Sequence, residues 1–143
     1  MRRLQRTALL PYPPGDVYDV VSDVESYPEF LDWCKDATIV EASATEVTAN
    51  LVISARNRIE TLVTRNTLTA GREIVLELVS GPFRHFSGCW TFAPVGDGCR
   101  VNLWLEFEIA NSVVSVMIQP FLGRIADRLV DAFSNRARAV LGS

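Results

Sequence analysis

The residues of this 143-residue chain that could move protons are few. His85 is the only histidine, and Asp23, Glu25 and Glu29 bring three carboxylates close together. Acid–base catalysis by a histidine needs a nucleophile or carboxylate held against it, and no motif supplies one. His85, in the segment RHF, reads as structural or solvent-facing. Asp23 and Glu25 read as groups solvating a helix end, and Glu29 as part of a helix cap. The chain has no glycine-rich phosphate loop after a strand, no HExxH and no GxSxG. Cys34, Cys89 and Cys99 are odd in number and far apart, with no CxxC pair. They read as buried free thiols rather than as a zinc or redox site. No catalytic residue, metal ligand or catalytic cofactor is assigned, and a non-enzyme is expected.

The chemistry the sequence does offer is apolar. The stretch DVESYPEFLDWC, residues 23–34, carries Tyr27, Phe30, Leu31 and Trp33. It is too apolar for a surface loop and too short and charged for a core helix of its own. It either plugs the core or lies over an apolar ligand as a lid. Phe83, Phe86 and Trp90 surround the Gly81-Pro82 turn and the strand after it. They either pack the core or line a tunnel, and Gly88 among them permits a close approach to the sheet. Trp104 points away from Leu103 and Leu105, as a contact patch or a singly exposed ring. Arg136 falls near the centre of the last helical stripe, where a charge must be paired or must snorkel. It is either a donor to a ligand head group or one half of an ion pair.

Composition bounds these readings. Hydrophobic residues make up 48% and charged residues 22%, an ordinary globular balance, and the length favours one domain over 1–143. No apolar run approaches the roughly 20 residues of a membrane span. The N-terminal segment lacks the apolar core of a signal peptide, so a cytoplasmic location is expected. The net charge of −3 supplies no general attraction to phosphate, and no DNA partner is expected.

The elements that must position these residues follow from periodicity. Residues 3–10 read as a first strand ended by Pro11. Pro13 and Pro14 can open a helix, Asp16 favours its positive end, and Val17, Val20, Val21 and Val24 share one face. Tyr27 precedes Pro28, so that helix stops near Val24 or Glu25. Ser26 and Glu29 have capping-box spacing, which predicts a second short helix over 26–34. From about 35 to 110 the period is two: Val47, Ala49, Leu51 and Ile53, then Ile74, Leu76 and Leu78, then Leu103, Leu105, Phe107 and Ile109. This predicts six antiparallel strands, seven with the first. From Asn111 the period is helical, with Val114, Ile118, Leu122, Ile125, Leu129, Ala132, Phe133 and Val140 on one stripe. Pro120 predicts a kink or restart near 117–120. The order predicts an α+β fold: a curved antiparallel sheet of six to seven strands around a long C-terminal helix, a shape that tends to hold a cavity.

The combination DVESYPEF, TRNTLT, LVSGPFRHFSGCWTF, LWLEFEI and ADRLVDAFSNRA, in this order over nearly the whole chain, resembles the coenzyme Q-binding family of START-type domains. Its bacterial members include RatA-type proteins, the ribosome association toxins. The resemblance implies a helix-grip fold around a lipid-sized tunnel. It also implies binding of ubiquinone or another isoprenoid or phospholipid, in support of respiratory electron transport. That role brings peripheral contact with the inner face of the cytoplasmic membrane. The other role the family implies is toxicity through ribosomal subunit association, with a ribosomal subunit or an antitoxin protein as partner. The candidate ligand-binding set is Tyr27, Phe30, Leu31, Trp33, Phe83, Phe86, Trp90, Phe107, Ile118, Phe121, Leu122, Ile125 and Arg136. START-type folds also host aromatases and cyclases. That chemistry needs acid–base groups inside the cavity, and the inward faces expected here are almost wholly apolar.

Overall fold

The computed structural model describes residues 1–55, 58–110 and 113–142, without the side chains of 55 and 113–118. The chain runs β1 (Arg2–Leu10), α1 (Pro14–Ser22), a 3-10 helix (Val24–Glu29), β2 (Cys34–Ala42), β3 (Glu46–Ala55), β4 (Arg58–Thr69), β5 (Glu73–Ser80), β6 (Phe83–Val95), β7 (Gly98–Ile109) and α2 (Val113–Leu141). The seven strands form one antiparallel sheet in the order β1-β7-β6-β5-β4-β3-β2. From β2 to β7 successive strands are neighbours; the connection from β1 to β2, through α1 and the 3-10 helix, crosses from one edge of the sheet to the other, and β1 pairs with β7. This is the expected α+β arrangement of six strands after the first, closed by a long helix.

The α2 helix packs against β1 and β7 on one side of the sheet and reaches β3 on the other. Among the described residues its backbone stands off from β4, β5 and β6. Side chains must fill the gap, and one does most of it. Phe133 on α2 is 5% exposed and meets three rings edge-on. Their centroids lie at 5.1 Å (Tyr27), 5.2 Å (Phe30) and 5.2 Å (Trp90). Edge-to-face pairs at this spacing add to the stabilisation from area burial alone. Phe133 therefore ties α2 to the 3-10 segment and to the sheet at once.

Three local expectations are corrected. The second short helix over 26–34 is a 3-10 turn over Val24–Glu29, and a loop then carries the chain to β2 at Cys34. The capping box does not form, because the Ser26 hydroxyl donates to the Asp23 carboxylate at 2.5 Å. Pro28, inside this segment, cannot donate an N–H and favours the short turn. α2 does not restart at Pro120 but runs through it as one 29-residue helix. Pro120 sits near the helix start on the exposed side, so the loss is limited to one hydrogen bond. Val140 is 53% exposed and leaves the apolar stripe, while Val130 and Ala137 are buried members of it. Asn111 and the side chains of Val114 and Ile118 lie outside the described residues.

Among the described residues no helix is long and apolar enough to cross a membrane. Truncating Phe133 to Ala removes all three ring contacts from a buried site. We expect it to lower the unfolding free energy by about 3–5 kcal/mol, read as the urea midpoint of variant against parent. A loss under about 1 kcal/mol would mean that another contact docks the helix.

Candidate functional site

The gap beneath α2 is a cavity of about 130 Å³. Its floor is the inward face of the sheet. Val47, Ala49, Leu51 and Ile53 of β3 all reach it, as do Leu62 and Leu68 of β4 and Ile74 and Leu76 of β5. Alternation alone puts them there, since successive strand residues point to opposite faces. Its roof is Leu122, Ile125, Ala126, Leu129 and Phe133 of α2. Val21, Ser22 and Val24 close one side. No charged side chain lies on the wall among the described residues.

The structure brings most of the predicted ligand-binding residues together. Tyr27, Leu31 and Trp33 line the cavity from the 24–33 segment. Phe83, Phe86, Trp90 and Phe107 line it from β6 and β7, and Leu122 and Ile125 from α2. Phe30, Phe121 and Arg136 lie outside the wall. Phe30 is behind it, packed on Tyr27 and Phe133. Phe121 packs on the satellite cluster of Ile53, Leu62 and Leu122, with the Arg124 guanidinium 5.8 Å from its ring centre. The side chain of Ile118 lies outside the described residues.

Arg136 is not at the cavity, where a head-group donor would have to be. Its guanidinium bonds the Glu29 carboxylate at 3.3 Å and lies 5.0 Å from the centre of the Phe30 ring. It flanks a surface recess with Asp16, Asp19 and Asp23. The helical period explains the error. Phe133 and Ala137 hold the inward line, and residue 136 is rotated about 60° from Phe133, enough for a long side chain to leave the interior.

Sequence reasoning missed the polar pair on the cavity floor. Thr64 and Asn66 alternate with Leu62 and Leu68 on the inward face of β4, and they are 5% and 7% exposed. The Thr64 hydroxyl donates to the Asn66 side-chain oxygen at 2.8 Å. The signal was present in Leu-x-Thr-x-Asn-x-Leu over 62–68, where two polar residues occupy the positions that two leucines mark as inward.

Titratable groups near the cavity are held neutral. The Tyr27 hydroxyl donates to the Val21 carbonyl, and burial keeps its phenol well above the ordinary range. Burial pushes the Cys34 thiol up to about 11, with the Asp36 carboxylate adding to the shift. Burial also raises Cys89 and Cys99. All three cysteines are free.

His85 lies on the other face of the sheet, 40% exposed at its side chain. Its Nε2 is 3.3 Å from both the Glu106 carboxylate and the Ser87 hydroxyl. Both neighbours share one ring nitrogen, whereas a triad needs the acid on one nitrogen and the nucleophile on the other. Trp104, 38% exposed, stands on that same face opposite Gln5 and Cys89. Gly88 is needed for packing: a Cβ there would lie 2.5 Å from a Leu105 methyl carbon and 3.0 Å from the Trp104 carbonyl oxygen. No group of three or more metal-ligating side chains occurs among the described residues.

Comparison with known proteins sets this geometry in a family. Residues 10–134 match the family described as polyketide cyclase / dehydrase and lipid transport. The chain is 37% identical over 140 residues to the ribosome association toxin RatA of Pseudomonas aeruginosa, with 97% of each chain covered. A more distant relative is the coenzyme Q-binding protein COQ10 homolog B, mitochondrial, of Xenopus laevis. That similarity is 23% over 131 residues, covering 88% of this chain and 54% of the relative. Among solved structures, a START superfamily protein from Mycobacterium smegmatis superposes with a TM-score of 0.80 at 18% identity, covering 96% of this chain and 98% of that one. The Zhui aromatase/cyclase from Streptomyces sp. R1128 superposes with a TM-score of 0.84 at 19% identity, covering 97% and 95%. At those identities the structural likeness shows the fold alone. The match over most of the chain, the helix-grip architecture and the near full-length relative agree: the chain belongs to the START-like polyketide cyclase / dehydrase and lipid transport family and stands with its RatA-type members.

Proposed function

We propose that this protein binds an apolar, lipid-like ligand without converting it. Ubiquinone or a related isoprenoid quinone is the class that fits, and the protein acts as its carrier or chaperone in respiratory electron transport. The observation that carries this reading is a wall of uncharged, mostly aliphatic and aromatic side chains around space that the protein does not fill. The lipid-transport description of the family and the coenzyme Q-binding relative support it. The described wall offers no acid–base pair, and the one histidine is on the other face of the sheet.

Size constrains the binding mode. An apolar cavity of about 150 Å³ accommodates one benzene ring. The cavity here therefore has room for a ring-sized group, and a polyprenyl tail requires it to widen. The segment best suited to yield is 24–33, whose 3-10 geometry makes poorer hydrogen bonds than an α-helix. Each Å² of tail surface then buried contributes about 25 cal/mol. This is the lid role expected for Tyr27, Leu31 and Trp33.

Trp33 and Trp90 are in the wall, and Trp104 is on the outer face. A decyl-tailed benzoquinone added to the pure protein should quench tryptophan emission saturably, one ligand per chain. Ala49→Phe fills the cavity floor and should weaken this at least about tenfold. Trp104→Phe should leave the binding constant unchanged. Quenching that never saturates, or that Ala49→Phe leaves untouched in a folded variant, would overturn the reading.

A second reading is that the chain shares the activity its relative's name states, association with the ribosome. Besides the 37% identity, the placement of arginines favours it. Strand register puts Arg2, Arg3, Arg58 and Arg84 at the end of the sheet where β4 and β6 begin and β7 ends. Arg6 is mid-strand and Arg65 and Arg72 lie toward the other end, so the arginines 2, 3, 6, 58, 65, 72 and 84 gather only in part, and Arg56 lies outside the described residues. Ion pairs with Asp127, Glu106 and Glu108 temper the charge of Arg2, Arg3 and Arg84. On this reading, pure protein added to ribosomal subunits lowers the 70S fraction in a sucrose gradient. An unchanged ratio at saturating protein counts against it.

A further inference from the structure

We infer that Thr64 and Asn66 are the ligand's polar anchor: the Asn66 side chain, held by its hydrogen bond with Thr64, leaves the pair a donor hydrogen for a carbonyl oxygen of an uncharged head group inside the cavity. The inference rests on the ligand-binding reading above and says which end of the ligand goes in, and where.

Burying an amide without partners costs free energy, so a natural core keeps such a group only where something satisfies it. Asn66 is 7% exposed, and its oxygen accepts from the Thr64 hydroxyl. Among the described residues its amide nitrogen donates to no protein group, and it is not sealed away as Asn50 Oδ1 is, so it stays open to a group inside the cavity. The conclusion does not depend on which way the amide is turned. With oxygen toward Thr64, both amide hydrogens are unspent. With nitrogen toward Thr64, one amide hydrogen and the hydroxyl hydrogen are unspent. Either way the pair holds two donor hydrogens that no described protein group receives.

Other polar groups on the wall do not compete for the role. The Tyr27 and Ser22 hydroxyls already donate to the carbonyls of Val21 and Asp19. The indoles of Trp33 and Trp90 offer one donor each, against two from the β4 pair. The surplus of donors suits a group that only accepts, and a carbonyl oxygen is the simplest. The absence of charged side chains from the described wall selects against a carboxylate or phosphate head inside, since a buried anion needs a paired cation. The pair lies between Leu62 and Leu68 on one strand, among Val47, Ala49 and Leu76. The ring-sized volume then belongs to the head, and the tail leads away toward Phe83, Leu122 and Ile125, past Leu62.

The test compares two probes that share a tail. A decyl-tailed benzoquinone carries carbonyls, and decylbenzene has the same ring and tail without them. Affinities of both for the full chain, by tryptophan quenching or calorimetry, are measured in parent, Asn66→Leu and Thr64→Val. The parent is expected to prefer the quinone. Asn66→Leu should weaken the quinone about tenfold, the scale of one to two buried hydrogen bonds. It should leave decylbenzene as tight or tighter, with the ligand-free melting temperature unchanged or raised. Thr64→Val, nearly isosteric, should reduce the quinone preference in the same sense. It decides the matter alone should Asn66→Leu fail to fold.

Equal loss of both probes would assign the pair a packing role and overturn the inference. Quinone binding that neither variant weakens would do the same. Parent protein that binds decylbenzene and quinone equally also sinks the anchor but leaves the ligand-binding reading standing. Parent protein that binds neither sinks both.

Discussion

One residue joins the parts that make the cavity. Phe133 projects from α2 into a ring formed by Tyr27, Phe30 and Trp90, and those three come from the 3-10 turn, its flank and the sheet. A helix can approach a sheet only as closely as its side chains allow, so a buried phenylalanine sets the spacing. The same contact fixes the 24–33 segment as the edge of the cavity, through the Tyr27 ring that Phe133 touches and the hydroxyl that holds the Val21 carbonyl. Position of helix, one edge of the wall and neutrality of the Tyr27 phenol all follow from that junction.

The cavity is the counterpart of this spacing. α2 meets the sheet closely at β1 and β7 and again at β3, leaving the middle strands to be covered by side chains alone. Small residues on both sides keep the space open: Ala49 on the floor and Ala126 on the roof. Their buried positions could hold larger aliphatic groups, and a chain under selection for stability alone gains by filling such a void. The polar pair on β4 points the same way, since two leucines in place of Thr64 and Asn66 would continue the strand's apolar face without unspent donors. Both features cost stability and both fit a ligand.

Much of this fold is legible in the sequence. Period-two runs gave the strands and their inward faces, because only the inward positions of a half-buried sheet must be apolar. The GPF turn and the aromatic strand after it gave Phe83, Phe86 and Trp90, all on the wall. What failed did so for local reasons. Ser26 and Glu29 had the spacing of a cap, yet Asp23 was a nearer acceptor for the serine. Arg136 was assigned from a helical period too coarse to separate the inward line from its flank, and Glu29 on the other element, which helps to hold it, is 107 residues away in sequence. Thr64 and Asn66 went unassigned because a polar residue in a strand is taken as outward unless the leucines on either side are used to set the register.

The central claim is that the cavity exists to hold a molecule. The most direct measurement is native mass spectrometry of protein purified gently from a quinone-producing bacterium, with lipid extraction of the same sample. The account expects one added mass per chain, lost on unfolding, that the extract identifies as an uncharged, carbonyl-bearing lipid. Protein that arrives empty, and stays empty after incubation with a short-tailed quinone, would contradict it. The aromatic segment from Tyr27 to Trp33 would then be a plug.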